Sequence, residues 1–325
     1  MTTATRHVLV LRSGYGKVYR YFEDSLVSAL QSLALSSSLA PAHPLNTEAL
    51  IESCRQEKPD LVLTLLGYQL EARFCEWLQD NGIPLAVWLT EDPYLIDRSL
   101  QILPYAKKAF TIDRQALSYY RKLGFTDSAF LPLATNPTVY KRRKRQGEPA
   151  YSISLVGYPY QARVDLIRFL ADQLTLPITV VGEWKDISLP SHVNVVSKWV
   201  TPQEVALFYT NSRIVLNTYR SDSDPANENS TGIKGTSLNN RTFEIASCGA
   251  LQITEYRPEL YDFFSVDEIP SFRTKEELPD KIKQLLADPT GADQTANNSY
   301  LAVTRHHTFE QRLAKLLSYF PELNG

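Results

Sequence analysis

The sequence predicts an α/β protein of two parallel-sheet domains, each with helices on both faces of its sheet. Three observations lead there. Short apolar runs alternate with helix-periodic stretches almost from end to end. The alternation is interrupted once, by the basic segment Tyr140 to Pro149, and then resumes. The chain has 325 residues, which at roughly 100–200 residues per domain is about two domains. The expected division is residues 1–138, a basic linker at 139–150, residues 151–300, and a C-terminal helix at 301–325 packing back on the first domain.

His7 to Leu11 is the first strand, and Ser13-Gly14-Tyr15-Gly16 leads from it into a helix with Phe22, Leu26, Leu30 and Leu33 on one face. Asp60 to Leu66 is apolar on both faces, as a buried parallel strand requires. A helix carrying Leu70, Phe74, Trp77 and Leu78 ends at Gly82, and Pro84 to Leu89 is the next strand. Ala109 to Ile112, a helix through Tyr120, and Ala129 to Leu131 complete the first set. The second set opens with Ser152 to Val156, stopped by Gly157, then a helix with Val164, Ile167, Leu170 and Leu174. Pro177 to Val181 and Val193 to Val196 are strands. Thr201-Pro202-Gln203-Glu204 is a helix start on three grounds: a Thr cap, Pro at the first helical position and Glu three after the cap. Arg213 to Asn217 is a strand, the polar stretch Ser221 to Thr236 reads as a mobile loop, and Arg241 to Cys248 is a short helix with Gly249 past its end. Ala250 to Ile253 is a strand, and two amphipathic helices follow, one with Leu278, Ile282, Leu285 and Leu286, the other with Leu313, Leu316, Leu317 and Phe320. Right-handed crossovers put ligands at the carboxyl ends of the strands, and two such domains facing each other make a cleft.

Composition removes several function classes. Thirty-four basic residues against 36 acidic ones give a net charge of −2, too little positive charge for a general nucleic-acid binder. No apolar run reaches membrane-spanning length. Cys54, Cys75 and Cys248 are too few and scattered for a disulfide framework, and no Cys/His spacing fits zinc. With no signal segment at the N-terminus, a cytoplasmic protein with free thiols is expected. The five basic residues after Tyr140 read as an exposed linker, with a phosphate- or anion-facing surface as the alternative.

The densest chemistry lies in Asn239-Asn240-Arg241-Thr242-Phe243-Glu244, at a loop-to-helix junction. A helix start offers free N–H groups to an anion, Arg241 adds a fork suited to phosphate, and Glu244 one turn on can accept from vicinal hydroxyls. Phosphate followed by diol is the chemistry of a nucleoside diphosphate. An ordinary capped helix with a surface Arg–Glu pair has the same spacing. Gly14-Tyr15-Gly16 either admits a ligand close to the backbone or is a tight turn, and Tyr19 denies it a dinucleotide fingerprint. Glu91 and Asp92 end a buried strand, where a carboxylate can take a proton from an acceptor hydroxyl, whereas Asp92 before Pro93 also suits a turn cap. Asp113 is a weaker candidate of the same kind. His306-His307 suit a helix start, and Asp222-Ser223-Asp224 lies in a polar loop away from any strand end, so no metal site is expected.

The run Arg241 to Ala250 (RTFEIASCGA) resembles the signature of the CgeB-like spore maturation glycosyltransferases, within the group 1 glycosyltransferases of GT-B fold, which has two Rossmann-like domains. Ser13-Gly14-Tyr15-Gly16, Trp88 to Tyr94, Leu131 to Ala134, Ser154 to Gly157 with Arg163, Pro258-Glu259-Leu260 and His307 to Arg312 match in order, so the resemblance covers nearly the whole chain. It implies transfer of a sugar, hexosyl in type, from a nucleotide-diphosphate sugar to an unidentified acceptor hydroxyl, with a UDP-type donor favoured. A sugar-nucleotide epimerase or hydrolase, or a non-catalytic sugar-nucleotide binder, is the alternative on the same architecture. Glu244 matches the family's ribose-contacting Glu. Those enzymes often carry a second Glu eight residues earlier, where this chain has Thr236. Arg163, Arg241, Lys234 and Gly157 are the implied diphosphate set. Asn239, Asn240 and Thr236 are placed near the donor sugar or phosphate, and Lys198, Trp199 and Val200 near the base. No cofactor and no metal is implied, since basic groups and helix dipoles stabilise the leaving diphosphate.

Overall fold

A computed structural model describes residues 6–40, 46–144 and 147–323. The chain divides into two compact units. The first comprises Met1–Leu133, Ala226–Ser237 and the residues from Phe309 onward, and the second comprises Ala134–Pro225 and Leu238–Thr308.

The first unit is built from β1 (His7–Leu11), α1 (Val18–Ser32), β2 (Ser36–Leu39), α2 (Thr47–Glu57), β3 (Leu61–Leu65), α3 (Ala72–Asp80), β4 (Leu85–Leu89), α4 (Ile96–Ile102), β5 (Lys108–Thr111), α5 (Arg114–Lys122) and β6 (Ser128–Phe130). Its six strands are all parallel, in the order β2-β1-β3-β4-β5-β6. β3 and β4 are buried at every position, as their unbroken apolar runs require of central strands. β2 (SSSL) has no apolar signature because it is an edge strand, paired on one side with β1, and so escapes a periodicity reading.

The second unit contains β7 (Tyr151–Val156), α6 (Gln161–Gln173), β8 (Ile178–Gly182), β9 (Val193–Ser197), α7 (Pro202–Thr210), β10 (Ser212–Asn217), α8 (Asn240–Ser247), β11 (Gln252–Glu255), α9 (Leu260–Phe263), β12 (Ser271–Phe272), α10 (Leu278–Ala287) and α11 (Pro289–His306). Again six parallel strands pair, in the order β12-β11-β10-β7-β8-β9. α7 starts on a complete capping box between Thr201 and Glu204. Ile153, Leu155, Ile167, Leu170, Val180 and Ile214 form the centre of its core. Of the basic run after Tyr140, Lys141 to Lys144 are exposed, and Arg142 donates to Asn297 at 2.8 Å and lies over Tyr300. Arg145 and Gln146 lie outside the described residues.

Two segments return to the first unit. α12 (Phe309–Leu317) packs against α1, with Phe309 among Tyr21, Phe22 and Trp88. Arg312 is buried there and donates through Nε to the Pro132 carbonyl at 3.0 Å. The second segment is Ala226–Ser237, which but for Ser237 lies in the stretch Ser221 to Thr236 expected to be mobile, and all of which is expected in the domain of residues 151–300. It is instead tied to the first unit. Glu228 pairs with Arg98, Ser230 donates to Asp97, and Thr236 and Ser237 donate to Asp113. A polar sequence looks solvated until its partners, distant in the chain, are known.

Candidate functional site

In the second unit the chemistry gathers where β7 and β10 end. Gly157 follows β7 with φ +152, and a Cβ on it would stand 2.8 Å from Nη1 of Arg163 and 3.4 Å from Nη1 of Arg241. The two guanidinium groups therefore converge over a residue whose missing side chain makes room for them. Arg163, on the first turns of α6, is 2% exposed. Nε donates to Thr218 Oγ1 at 2.8 Å, Nη2 to the Thr218 carbonyl at 3.2 Å, and Nη1 to the Tyr158 carbonyl. Arg241, half-buried at the start of α8, donates to Asn217 Oδ1 at 3.3 Å and to the same Thr218 carbonyl at 2.9 Å. Neither makes an ion pair among the described residues. Burial first, and the Arg241 charge second, depress the Arg163 pKa to about 9. Two adjacent cations that make no ion pair among the described residues, fixed by neutral oxygens, form a site for an anion.

Glu244, one turn after Arg241, is 1% exposed. Its carboxylate accepts from Asn240 Nδ2 at 2.8 Å and from the Tyr140 side chain. Burial raises its pKa to about 7, against the lowering effect of Asn240, Arg241 and Tyr140. Asn239 is the N-cap of α8: its Oδ1 accepts from the Thr242 N–H at 3.1 Å, and its Nδ2 donates to Asn217 and the Thr218 carbonyl.

Several expectations are corrected by these positions. Asn239 is committed to capping and bridging, and Asn240 to Glu244, so neither side chain is held out toward a ligand. Thr236 belongs to the first unit, where its N–H donates to Asp113 at 2.7 Å and its hydroxyl at 3.2 Å. Lys234 is exposed on that same segment of the first unit. Val200 is buried in the second unit, while Trp199 beside it is 46% exposed and Lys198 pairs with Glu204 at 3.6 Å. Sequence reasoning missed Arg220 and Arg257. Arg163 and Arg220 both lie over the Tyr160 ring at 5.3 Å, and Arg257 lies over Tyr219 while donating to the Arg220 carbonyl at 3.1 Å. Both arginines follow strand carboxyl ends, β10 and β11, and that position was the signal available in the sequence.

The first unit holds a separate cluster. Glu23 is fully buried, pairs with Arg12 at 3.0 Å and accepts from the Ser13 N–H and hydroxyl at 2.7 Å each, fixing the loop that carries Gly14, Tyr15 and Gly16. Gly14 has φ +83, and the Gln69 amide occupies the space of a Cβ there. Gly16 is exposed with nothing within 4 Å of a Cβ. Tyr15 stands beside Tyr19 at 5.6 Å between ring centres, and Tyr19 donates to Glu91 Oε1 at 2.6 Å. Glu91 is half-buried. Asp92 is a different case. It is 0% exposed, with Oδ1 accepting from Ser99 at 2.6 Å and Oδ2 from Thr111 at 2.6 Å and Tyr120 at 2.8 Å. Burial raises its pKa to about 7. Asp92 is thus an internal hydroxyl hub, closed to an acceptor. Asp113 caps α5 through Oδ1 and holds Thr236 and Ser237 through Oδ2. His307 packs among Phe243, Phe263 and Phe264. Among the described residues no group of three His, Cys, Asp or Glu side chains is placed to hold a metal, and no helix is long and apolar enough to cross a membrane.

Four likenesses bear on what this arrangement does. Residues 162–318 match the family described as glycosyl transferase-like. Spore protein CgeB of Bacillus subtilis is 31% identical over 315 residues, covering 95% of this chain and 97% of that one. Sucrose-phosphate synthase from Thermosynechococcus elongatus shares the fold at TM-score 0.70 and 12% identity, over 98% of this chain and 99% of that one. Anabaena HepE, solved in complex with UDP-glucose, superposes at TM-score 0.66 and 11% identity, over 96% and 99%.

Proposed function

The chain belongs to the family of the spore protein CgeB and is a glycosyltransferase of GT-B fold, and from that premise we propose that its donor is a nucleoside-diphosphate sugar, with a uridine nucleotide favoured, held by the second unit. The observation that carries this reading is the pair Arg163 and Arg241 over Gly157, two guanidinium groups that make no ion pair among the described residues. In the transfer, the acceptor oxygen bonds to the anomeric carbon, the bond from that carbon to the diphosphate breaks, and the electron pair leaves on the diphosphate oxygen. Donors fixed in advance at the place where that charge develops are the most effective kind of stabilisation. The neutral carbonyl and hydroxyl contacts of Arg163 fix its position without cancelling its charge. Glu244 takes the ribose hydroxyls, Trp199 offers an exposed ring to the base, and the backbone at Gly157 approaches a phosphate closely. Glu91 is the candidate acceptor of the hydroxyl proton in the first unit, since Asp92 is closed off. The solved UDP-glucose complex of HepE, on the same fold, favours uridine.

A thermal-shift panel of nucleoside diphosphates and their sugars tests this reading. UDP or a UDP-sugar at about 100 times its dissociation constant raises stability by roughly 2.7 kcal/mol. Product analysis then shows acceptor-dependent release of UDP that survives EDTA, because arginines supply the charge. No shift with any nucleotide removes the donor site. Free sugar or an isomerised donor as the main product replaces transfer with hydrolysis or epimerisation.

The Glu244 assignment has its own signature. Its pKa of about 7 lies above the ordinary 4.5 because burial penalises the charged form. A ribose hydroxyl donates best to the ionised carboxylate, so the affinity for UDP-glucose rises as pH is taken from about 6 to about 8. In Glu244→Gln the titration is flat over that range and binding is weaker throughout. A pH dependence that persists in Glu244→Gln belongs to some other group and removes Glu244 from the ribose.

A further inference from the structure

Next to Glu244 lies a buried hydroxyl that the folded chain leaves unused. Tyr209, on the last turn of α7, is 1% exposed, and its Oη has no hydrogen-bond partner among the described residues. α7 packs on α8, and besides burial the groups that act on the Tyr209 hydroxyl are Glu244, Arg241, Cys248 and Arg163. The ring is stacked on Tyr140 at 6.2 Å and 27°, and Tyr140 is the residue that donates to Glu244. Tyr209 is thus held by its ring against Tyr140, on the helix that packs against the one carrying Arg241 and Glu244, with its buried Oη unpartnered among the described residues. Buried hydroxyls are almost always hydrogen-bonded, and leaving one unmade is costly. A phenylalanine would fill the same space at no such cost, so the hydroxyl calls for an explanation that the unliganded fold does not contain.

We propose that Tyr209 is a donor-recognition residue: its hydroxyl donates to a ribose hydroxyl oxygen whose own proton goes to Glu244, so that the pocket selects ribonucleotides over deoxyribonucleotides. The chemistry is complementary. A tyrosine hydroxyl and a carboxylate together satisfy both the acceptor and the donor of one alcohol, which neither does alone. A site built to hydrogen-bond an alcohol discriminates strongly against the analogue lacking it, because its own polar groups are then left unpaired. The inference rests on the donor-site reading above and adds to it a residue and a specificity.

Calorimetric titration of UDP, 2′-deoxy-UDP and 3′-deoxy-UDP into the full-length protein and its Tyr209→Phe variant tests this, alongside the melting temperature of each unliganded protein. The wild type binds UDP about 10-fold or more tightly than at least one deoxy analogue. Tyr209→Phe loses most of that preference, its affinity for the disfavoured analogue is unchanged, and its unliganded melting temperature is equal to or above that of the wild type. An undiminished preference overturns the inference, as does an equal weakening for all three ligands or a lowered melting temperature with preference intact. If the wild type binds none of the three, the uridine donor reading itself has failed, and that result is distinct from the failure of Tyr209 alone.

Discussion

Arg241→Ala lowers the rate of sugar transfer, as kcat/KM, by about 100-fold or more, and leaves the fold intact. Removing one fixed donor at a site of developing negative charge costs roughly 2.7–4 kcal/mol in comparable cases. Arg241 suits this test better than Arg163. It is half-buried and makes two contacts, to Asn217 and the Thr218 carbonyl, whereas Arg163 is 2% exposed and joins α6 to Thr218 and Tyr158. Arg163→Ala therefore mixes lost charge with lost packing. Arg241→Lys recovers part of the activity by restoring charge without the fork. Transfer by Arg241→Ala at the wild-type rate removes Arg241 from the leaving-group site.

The largest effect on stability falls on the first unit. Asp92→Ala leaves the hydroxyls of Ser99, Thr111 and Tyr120 without their common acceptor in a fully buried place, at a cost of about 3 kcal/mol or more, read in urea denaturation. Asp92→Asn is far milder, because the amide keeps an acceptor and resembles the protonated acid. The two variants also differ from wild type in pH dependence. Asp92 has a native pKa of about 7 against an ordinary 3.8, so the unfolded chain loses this proton first. Between those values the native state binds more protons, and the contribution of Asp92 to stability is full below about pH 4 and falls as pH rises toward about 7. Glu244 acts in the same direction over about 4.5 to 7. Asp92→Asn removes its share of that slope. A slope unchanged in Asp92→Asn shows that Asp92 is ionised in the native protein well below neutrality.

Most of the architecture was legible because its strands carry their own signal. β3 and β4 are continuous apolar runs, and the Thr201–Glu204 capping box announces α7 by three residues alone. β2 and the 18-residue helix α11 were not legible. The serines of β2 carry no apolar pattern, and α11 has only Ala296, Ser299 and Val303 buried, too sparse a stripe to stand out. At the site, Arg163 and Arg241 were found through spacing and resemblance, and the fold brings them together at Gly157. Spacing could not tell that Thr236 and Ser237 serve Asp113, more than 120 residues away, or that Asp92 is consumed by three hydroxyls. Hydrogen-bond partners set by tertiary contact are invisible to a local pattern. The same holds for Tyr209, which reads as one more apolar position of α7 until its unsatisfied Oη is located.

Calorimetric titration of UDP and of uridine into the wild type and Arg241→Ala compares the diphosphate with its absence in a single experiment. The account predicts that the wild type binds UDP at least about 100-fold more tightly than uridine, since the paired guanidinium groups act only on the diphosphate, and that Arg241→Ala loses most of this difference while binding uridine as before. Equal affinities for UDP and uridine in the wild type, or a difference that Arg241→Ala retains in full, would contradict it.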